Sequence, residues 1–201
     1  MKNTIQAIDN RITIGFFGLL LLGGGGYFWL WKAGRLPVVT PLPVSSQPVV
    51  MCLPTKADAE GPYYRAGVRE RRKLSPEGAQ GDRLVVKGRV MVECSQLVAG
   101  ARVELWQADA GGNYHDDDYR GVVFTDQLGS YEFETVMPGA YGRDGVMRPA
   151  HIHFKLTLPD GRQLTSQMYF DANTGVDLSQ LVKLQQVNEG WVGNFDVVWG
   201  Q

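Results

Sequence analysis

The chain has 201 residues, with 20 lysines and arginines against 21 aspartates and glutamates, so a net charge near −1 gives no indication of a nucleic-acid partner. Its hydrophobic content of 44% supports one folded domain of ordinary size plus an appendage. The 25 glycines and 10 prolines predict many turns and favour short strands over long helices.

The N-terminal segment is predicted to be a membrane anchor over residues 1–35. Its central part, ITIGFFGLLLLGGGGYFWLW at 12–31, carries no charge and ends in an aromatic cluster that suits a membrane interface. About 20 apolar residues are enough to cross the hydrocarbon core of a bilayer. A cleaved signal peptide is the alternative, but no small-x-small cleavage site follows the apolar run, which is long for that purpose.

A proline-rich linker follows at residues 36–51, where LPVVTPLPVSSQPVV contains four prolines and no charge. Such a composition predicts an extended, semi-rigid tether that would hold a folded domain away from the membrane. The folded domain is expected over residues 52–201.

The folded part is predicted to be all-β. Short segments rich in β-branched and aromatic residues alternate with turn sequences such as DAGGN, MPGAYG and LPDGR, which is typical of an antiparallel sandwich or barrel. The expected strands are 84–92, 101–109, 131–136, 151–158, 164–170 and 191–199. One short helix is expected at 178–186.

Two of the three histidines stand together in RPAHIHF at 148–154. In a strand, His151 and His153 point to the same face, and two imidazoles there are costly to bury unless they bind something. Taken alone, this pair is compatible with a copper or zinc site, or with two hydrogen-bonded side chains. The chain contains no HExxH, GxSxG, phosphate-loop or dinucleotide motif. The acidic run HDDDYRG at 115–121 is predicted to be a solvated turn, because Arg120 stands where a calcium loop needs an oxygen ligand.

Five motifs together resemble the intradiol ring-cleavage dioxygenases, which open catechols with non-haem Fe(III) and O2. The motifs are EGPYY, VELWQADAGGNY, TDQLGSYEFETVMPGAY, RPAHIHF and TSQMYF, in that order between residues 60 and 170. The resemblance implies an antiparallel β-sandwich of the intradiol dioxygenase type. It also implies a catechol-like diol and O2 as substrates and a muconate-type diacid as product.

The resemblance implies four iron ligands, namely Tyr114, Tyr141, His151 and His153. Ferric iron is a hard cation that prefers anionic oxygen donors, and binding it would deprotonate both phenols. Tyr141, after the PG turn, corresponds to the tyrosine that exchanges with the substrate and takes up a proton, while Tyr114 remains bound.

Further residues acquire roles only through this resemblance. Arg148, just before the histidines, is expected to stabilise negative charge that builds up on the substrate ring. Gln167 of TSQMYF is expected to line the pocket, and Tyr63 or Tyr64 of EGPYY is expected either to wall it or to pack in the core.

The two cysteines, Cys52 and Cys94, match positions at which exported members of the family carry cysteines. A disulfide between them would attach the N-terminal arm to the sandwich and requires an oxidising compartment. The expected topology therefore has residues 1–11 in the cytoplasm and the domain outside, in the periplasm or the extracellular space.

A second interpretation is a non-catalytic surface module, because TDQLGSYEFETVMPGAY also resembles transthyretin-like and carboxypeptidase-regulatory domains. Such a module has no reason to combine Tyr114, Tyr141, His151 and His153, so the enzyme is favoured. An oligomer is compatible with the sequence, although the long helical segment by which catechol 1,2-dioxygenases dimerise is absent from it.

Overall fold

The structure is a computed structural model that describes residues 52–143 and 145–200. The predicted anchor at 1–35 and the predicted linker at 36–51 lie outside these residues. Within the described part of the chain, no helix is long and apolar enough to cross a membrane.

The described residues form a β-sandwich with few helical turns. Its strands are β1 (Arg83–Val92), β2 (Gln96–Leu97), β3 (Arg102–Gln107), β4 (Arg120–Phe124), β5 (Ser130–Val136), β6 (Tyr141–Arg143), β7 (Val146–Arg148), β8 (His151–Thr157), β9 (Gln163–Tyr169), β10 (Lys183–Val187), β11 (Gly190–Asn194) and β12 (Val197–Trp199). Two 3₁₀ turns, at Ala172–Thr174 and Leu178–Gln180, complete the described elements.

Two sheets enclose the core. One has the order β10-β11-β1-β12, with β2 and β5 also paired to β1, and the other has the order β4-β3-β8-β9. Successive side chains of each strand point to opposite faces, so one face of each sheet is turned towards the core. Fully buried residues such as Val86, Phe133, Leu105 and Phe154 pack between the two sheets. A separate two-stranded sheet, β6 with β7, lies beside the candidate site.

The predicted sandwich is confirmed, but the prediction that it is antiparallel holds only in part. Strand β1 pairs with β11 and β12 in parallel, whereas its pairing with β5 and all pairings of the second sheet are antiparallel. The predicted strand 191–199 is divided into β11 and β12. Between them, the Arg89 N–H donates to the Asp196 carboxylate at 2.8 Å instead of to a backbone carbonyl. Gly88 makes room for this irregularity, since a Cβ there would lie 1.8 Å from the Phe195 carbonyl oxygen.

The predicted helix at 178–186 is wrong. After the short turn at Leu178–Gln180, which Asp177 caps through the N–H of Ser179, the chain becomes extended and forms β10. Strand β10 pairs with β11 across a tight turn. Pairing with a neighbouring strand thus overrides the local helical preference of this segment.

The acidic run at 115–121 is a solvated turn only at its start. Asp116 and Asp117 are exposed, whereas Tyr119 and Arg120 are buried, with exposed fractions of 5% and 4%. Arg120 is the first residue of β4. The buried end of the run lies against the candidate site.

The disulfide predicted from the resemblance is present in the structure between Cys52 and Cys94, whose Cα atoms are 5.9 Å apart. The arm that Cys52 begins continues along both sheets: the Thr55 N–H donates to the Val198 carbonyl, and the Asp58 N–H donates to the Thr165 carbonyl. These contacts direct the arm across β9 towards the outer face of the second sheet.

Candidate metal centre

The two histidines of RPAHIHF lie on the outer face of the second sheet. On β8, Ile152 and Phe154 point into the core, so His151 and His153 share the opposite face, as the sequence predicted. Both are buried, with exposed fractions of 3% and 1%. Their Nε2 atoms are 3.0 Å apart.

This separation suits two ligands of one ion. Donors about 2.1 Å from a metal in adjacent positions at right angles are themselves about 3.0 Å apart. The Nδ1 atom of His151 lies 2.6 Å from the Pro149 carbonyl oxygen, which can only accept, so the proton is on Nδ1 and the Nε2 lone pair is available.

Burial keeps both imidazoles neutral. Burial lowers the pKa of His151, and burial, together with the repulsion that two protonated rings would exert on each other, lowers the pKa of His153 to about 3. Neutral imidazole is the form that binds metals. The His153 ring is held between Trp106, stacked at 5.0 Å with an interplanar angle of 2°, and Gly61, where a Cβ would lie 3.1 Å from the imidazole.

The two predicted tyrosine ligands lie next to the histidines. The rings of Tyr114 and Tyr141 are 5.3 Å apart, Tyr141 and His151 are 5.5 Å apart, and Tyr114 and His153 are 6.5 Å apart. With 4.6 Å between the two histidine rings, the four side chains form a closed circuit, which we call the four-ring cluster. Residues separated by up to 39 positions in sequence thus lie next to one another.

Glycines allow the two tyrosine-bearing turns to nest. A Cβ at Gly112 would lie 2.5 Å from the Ala140 carbonyl oxygen, and a Cβ at Gly139 would lie 2.5 Å from the Ala110 carbonyl oxygen. The N–H groups of both glycines donate to the carbonyl of Asp109, at 3.1 Å and 2.8 Å. Close backbone approach therefore fixes the separation of Tyr114 from Tyr141.

The Tyr114 hydroxyl is one of five buried side-chain polar atoms among the described residues that lack a hydrogen-bond partner. It is buried, and no described residue forms a hydrogen bond of normal geometry with it. Burial and the neighbouring Tyr141 raise the pKa of Tyr114, whereas the positive charge of Arg120 acts in the opposite direction. A metal ion in the four-ring cluster would satisfy this oxygen and favour its anionic form.

The donor set fits ferric iron better than zinc or calcium. Two phenol oxygens and two imidazole nitrogens combine hard anionic and borderline donors, which suits a trivalent cation. Across residues 52–143 and 145–200, no group of three or more histidine, cysteine, aspartate or glutamate side chains is arranged to hold a metal. The four-ring cluster is therefore the candidate centre in the described part of the chain.

Arg148 and Gln167, also predicted for the site, lie beside the cluster. Arg148 is exposed and pairs with Tyr141 across the β6–β7 hairpin, and its charge lowers the pKa of both histidines. Gln167 is buried opposite His153 on β9. Its Nε2 donates to the Ala59 carbonyl at 2.9 Å and its Oε1 accepts from the Tyr169 hydroxyl at 2.6 Å, so the amide also binds the N-terminal arm.

The structure distinguishes the two tyrosines of EGPYY. Tyr63 stacks on Tyr114 with ring centroids 4.0 Å apart and an interplanar angle of 11°, so it belongs to the wall of the site. Tyr64 turns away, packs on Trp106 at 5.1 Å and lies under the ammonium group of Lys155.

Sequence reasoning missed Trp106, Tyr169 and Arg120. The signal for Trp106 was its alternation in VELWQ, which places it directly across from His153. Tyr169, opposite His151 on β9, lies 5.5 Å from that ring, and burial and the nearby Asp58 raise its pKa to about 12. Nothing in the sequence indicates that Arg120 would reach the site.

The fold and the site define a β-sandwich protein with a candidate mononuclear centre built from phenols and imidazoles. A family model described as "Dioxygenase" matches residues 59–198. The chain is 30% identical over 178 residues to a catechol 1,2-dioxygenase of Acinetobacter guillouiae, covering 67% of this chain and 58% of that protein. It is 41% identical over 107 residues to the β chain of a protocatechuate 3,4-dioxygenase of Burkholderia cepacia, covering 45% of each.

A solved structure is similar over the same region. The dioxygenase domain of a dioxygenase and carbohydrate-binding fusion from Streptomyces sp. SirexAA-E matches with a TM-score of 0.67 and 33% identity, covering 73% of this chain and 98% of that domain. The chain belongs to the intradiol ring-cleavage dioxygenase family. It spans 58% of the length of the Acinetobacter enzyme and 45% of the Burkholderia chain.

Proposed function

We propose that this protein cleaves a catechol-type aromatic ring between its two hydroxyl groups, using non-haem Fe(III) and O2, and gives a muconate-type diacid. The observation that carries the proposal is the four-ring cluster with its unpartnered Tyr114 hydroxyl. The names of the relatives, which include catechol and chlorocatechol 1,2-dioxygenases, support a diol of this class.

Ferric iron bound by Tyr114, Tyr141, His151 and His153 would supply Lewis acidity towards the two diol oxygens and so make the bound ring reactive towards O2. The protein's part is to hold the donors, to accept protons and to shield the ring. The two histidines act as neutral donors throughout, because their burial disfavours the protonated form.

The two tyrosines have different surroundings, which supports different roles. Tyr114 is stacked against Tyr63 and stays in place as an anionic donor. Tyr141 lies in the short β6–β7 hairpin, and its phenolate oxygen would accept a proton from one hydroxyl of the diol. Arg148, paired with Tyr141 and exposed at the rim, supplies positive charge for the deprotonated ring.

The experiment that tests this proposal is oxygen uptake by the purified 201-residue chain with catechol, chlorocatechols, hydroxyquinol and protocatechuate. We expect a wine-red protein with about one iron per chain, because phenolate donors on ferric iron give charge-transfer absorption. Tyr114→Phe should bleach or shift that absorption and reduce uptake by more than about 100-fold, since it removes a direct ligand.

Tyr64→Phe is the matched control, because the Tyr64 hydroxyl contacts Glu104 at 3.4 Å rather than the cluster. This variant should keep the colour and the oxygen uptake. A wild-type chain that remains colourless and iron-free after expression with ample iron would refute the proposal, as would uptake that is indifferent to Tyr114→Phe.

We also propose that the domain is exported and held at the membrane by a single N-terminal span, with residues 1–11 in the cytoplasm. The Cys52–Cys94 pairing supports an oxidising compartment, and the apolar segment 12–31 with its proline-rich linker supports an anchor.

Thiol titration tests the compartment. The exported chain should show no free thiol under denaturing, non-reducing conditions. Reduction should lower its free energy of unfolding by about 4 kcal/mol, because the disulfide closes a loop of 42 residues in the unfolded chain. A Cys52→Ser, Cys94→Ser double variant should be indifferent to the reductant, and two free thiols in the exported wild type would contradict the proposal.

A further inference from the structure

Arg120 is a buried cation with an unusual set of partners. Its exposed fraction is 4%, and within residues 52–143 and 145–200 no carboxylate lies within ion-pair distance of its guanidinium group. The nearby Asp116 is already paired with Arg65. Burying a charge without a counter-ion is unfavourable, so the arrangement calls for an explanation.

The guanidinium group instead binds two backbone carbonyls from distant parts of the chain. Its Nε and Nη2 atoms donate to the His115 carbonyl oxygen at 3.0 Å and 2.7 Å, and Nη1 donates to the Tyr63 carbonyl oxygen at 2.7 Å. Arg120 and Tyr63 are separated by 57 residues in sequence. We call this set of three hydrogen bonds the Arg120 clamp.

Both carbonyls lie next to the same ligand. His115 directly follows Tyr114, and the Tyr63 ring stacks on the Tyr114 ring at 4.0 Å. The clamp therefore fixes both the backbone that follows Tyr114 and the residue whose ring stacks on the Tyr114 phenol. The planar fork of arginine can reach two acceptors at defined angles, which the single ammonium group of lysine cannot reproduce.

The backbone of Arg120 is itself held in place. Its carbonyl accepts a hydrogen bond from Nε of Arg71 at 2.5 Å, and β4, which it begins, pairs with β3. The clamp therefore connects the second sheet, through Arg120 on β4, to the N-terminal arm and to the turn that carries Tyr114.

We propose that Arg120 is a positioning residue that holds the Tyr114 phenol and the Tyr63 wall in the geometry of the iron site before the metal binds. The role as iron ligand that we assign to Tyr114 rests on the proposed function. The clamp itself is a property of the polypeptide and can be measured without iron.

The test compares Arg120→Gly, Arg120→Lys and wild type as the full 201-residue chain in detergent micelles. Amide hydrogen exchange of the metal-free proteins should be faster by about tenfold in both variants, in the arm around Tyr63 and in the turn around Tyr114 together. Guanidinium at concentrations far below denaturing ones should restore protection in Arg120→Gly, because it fills the space with the same donors.

Tyr131→Phe is the control for general destabilisation. It removes a buried donor to a backbone carbonyl, that of Phe195, in the other sheet. It should leave exchange near Tyr63 and Tyr114 unchanged. After iron loading, the Arg120 variants should release iron about tenfold faster than Tyr131→Phe and show a shifted charge-transfer band.

The proposal is overturned if Arg120→Lys exchanges like wild type, or if exchange rises in only one of the two segments. It is also overturned if Tyr131→Phe matches the Arg120 variants. Failure of the proposed function has a different signature: the wild type would not bind iron. The metal-free Arg120 variants would still exchange faster than wild type near Tyr63 and Tyr114.

Discussion

His153→Ala is expected to abolish iron binding and oxygen uptake while leaving the sandwich folded. His153 is 99% buried, its Nε2 lies 3.0 Å from that of His151, and its ring packs between Trp106 and Gly61. Mutation of a residue that hydrogen-bonds to a metal ligand typically weakens metal binding by about 10- to 100-fold. Loss of the ligand itself should therefore weaken iron binding by more than about 100-fold. Iron content, the charge-transfer band and oxygen uptake measure the effect.

The sandwich should survive because the His153 side chain contributes nothing to the apolar core. It projects from the outer face of β8, whereas Phe154 and Ile152 project from the inner face. Ile152→Val is therefore a suitable control, since it trims a fully buried neighbour at a typical cost of about 1 kcal/mol and leaves the ligands in place. Iron retained by His153→Ala, or lost equally by Ile152→Val, would argue against the ligand assignment.

Gly139→Ala is expected to damage the same site without touching a ligand. The added Cβ would lie 2.5 Å from the Ala110 carbonyl oxygen and 2.7 Å from the Gly112 nitrogen, and both are backbone atoms that cannot rotate away. The turns that carry Tyr114 and Tyr141 must then separate. Overpacking of this kind costs about 1–3 kcal/mol, so the free energy of unfolding should fall by about 2 kcal/mol.

The effect on the site should exceed the effect on stability. Separation of the two tyrosines should shift the charge-transfer band and weaken iron binding by about tenfold or more, as for residues that orient ligands. Gly111→Ala is the control in the facing turn, because its Cβ would meet only the ends of the Asn113 and Asp109 side chains, at 3.2 Å and 3.3 Å, rather than backbone atoms. Equal iron affinity in the two variants would show that the nesting of the turns does not set the ligand geometry.

Strands were predictable from the sequence wherever alternation and turns were clear. The expected strand 151–158 corresponds to β8, and the expected 131–136 corresponds to β5. The error at 178–186 arose because apolar residues there fit a helical period as well as a strand, and only pairing with β11 decided between them. The division of 191–199 depended on one side chain, that of Asp196, which takes the N–H of Arg89 in place of a backbone acceptor.

The sequence by itself determined which residues could form the site. His-x-His on a strand requires a shared face, and the resemblance to intradiol dioxygenases supplied the two tyrosines and the pairing of Cys52 with Cys94. Only the tertiary structure decided how close the four rings come, because that distance depends on two turns meeting through Gly112 and Gly139. It also decided the hydrogen-bond partners of Arg120, which lie on segments that no local pattern connects. Local patterns record which face a side chain occupies, whereas contacts between distant segments depend on how the whole chain packs.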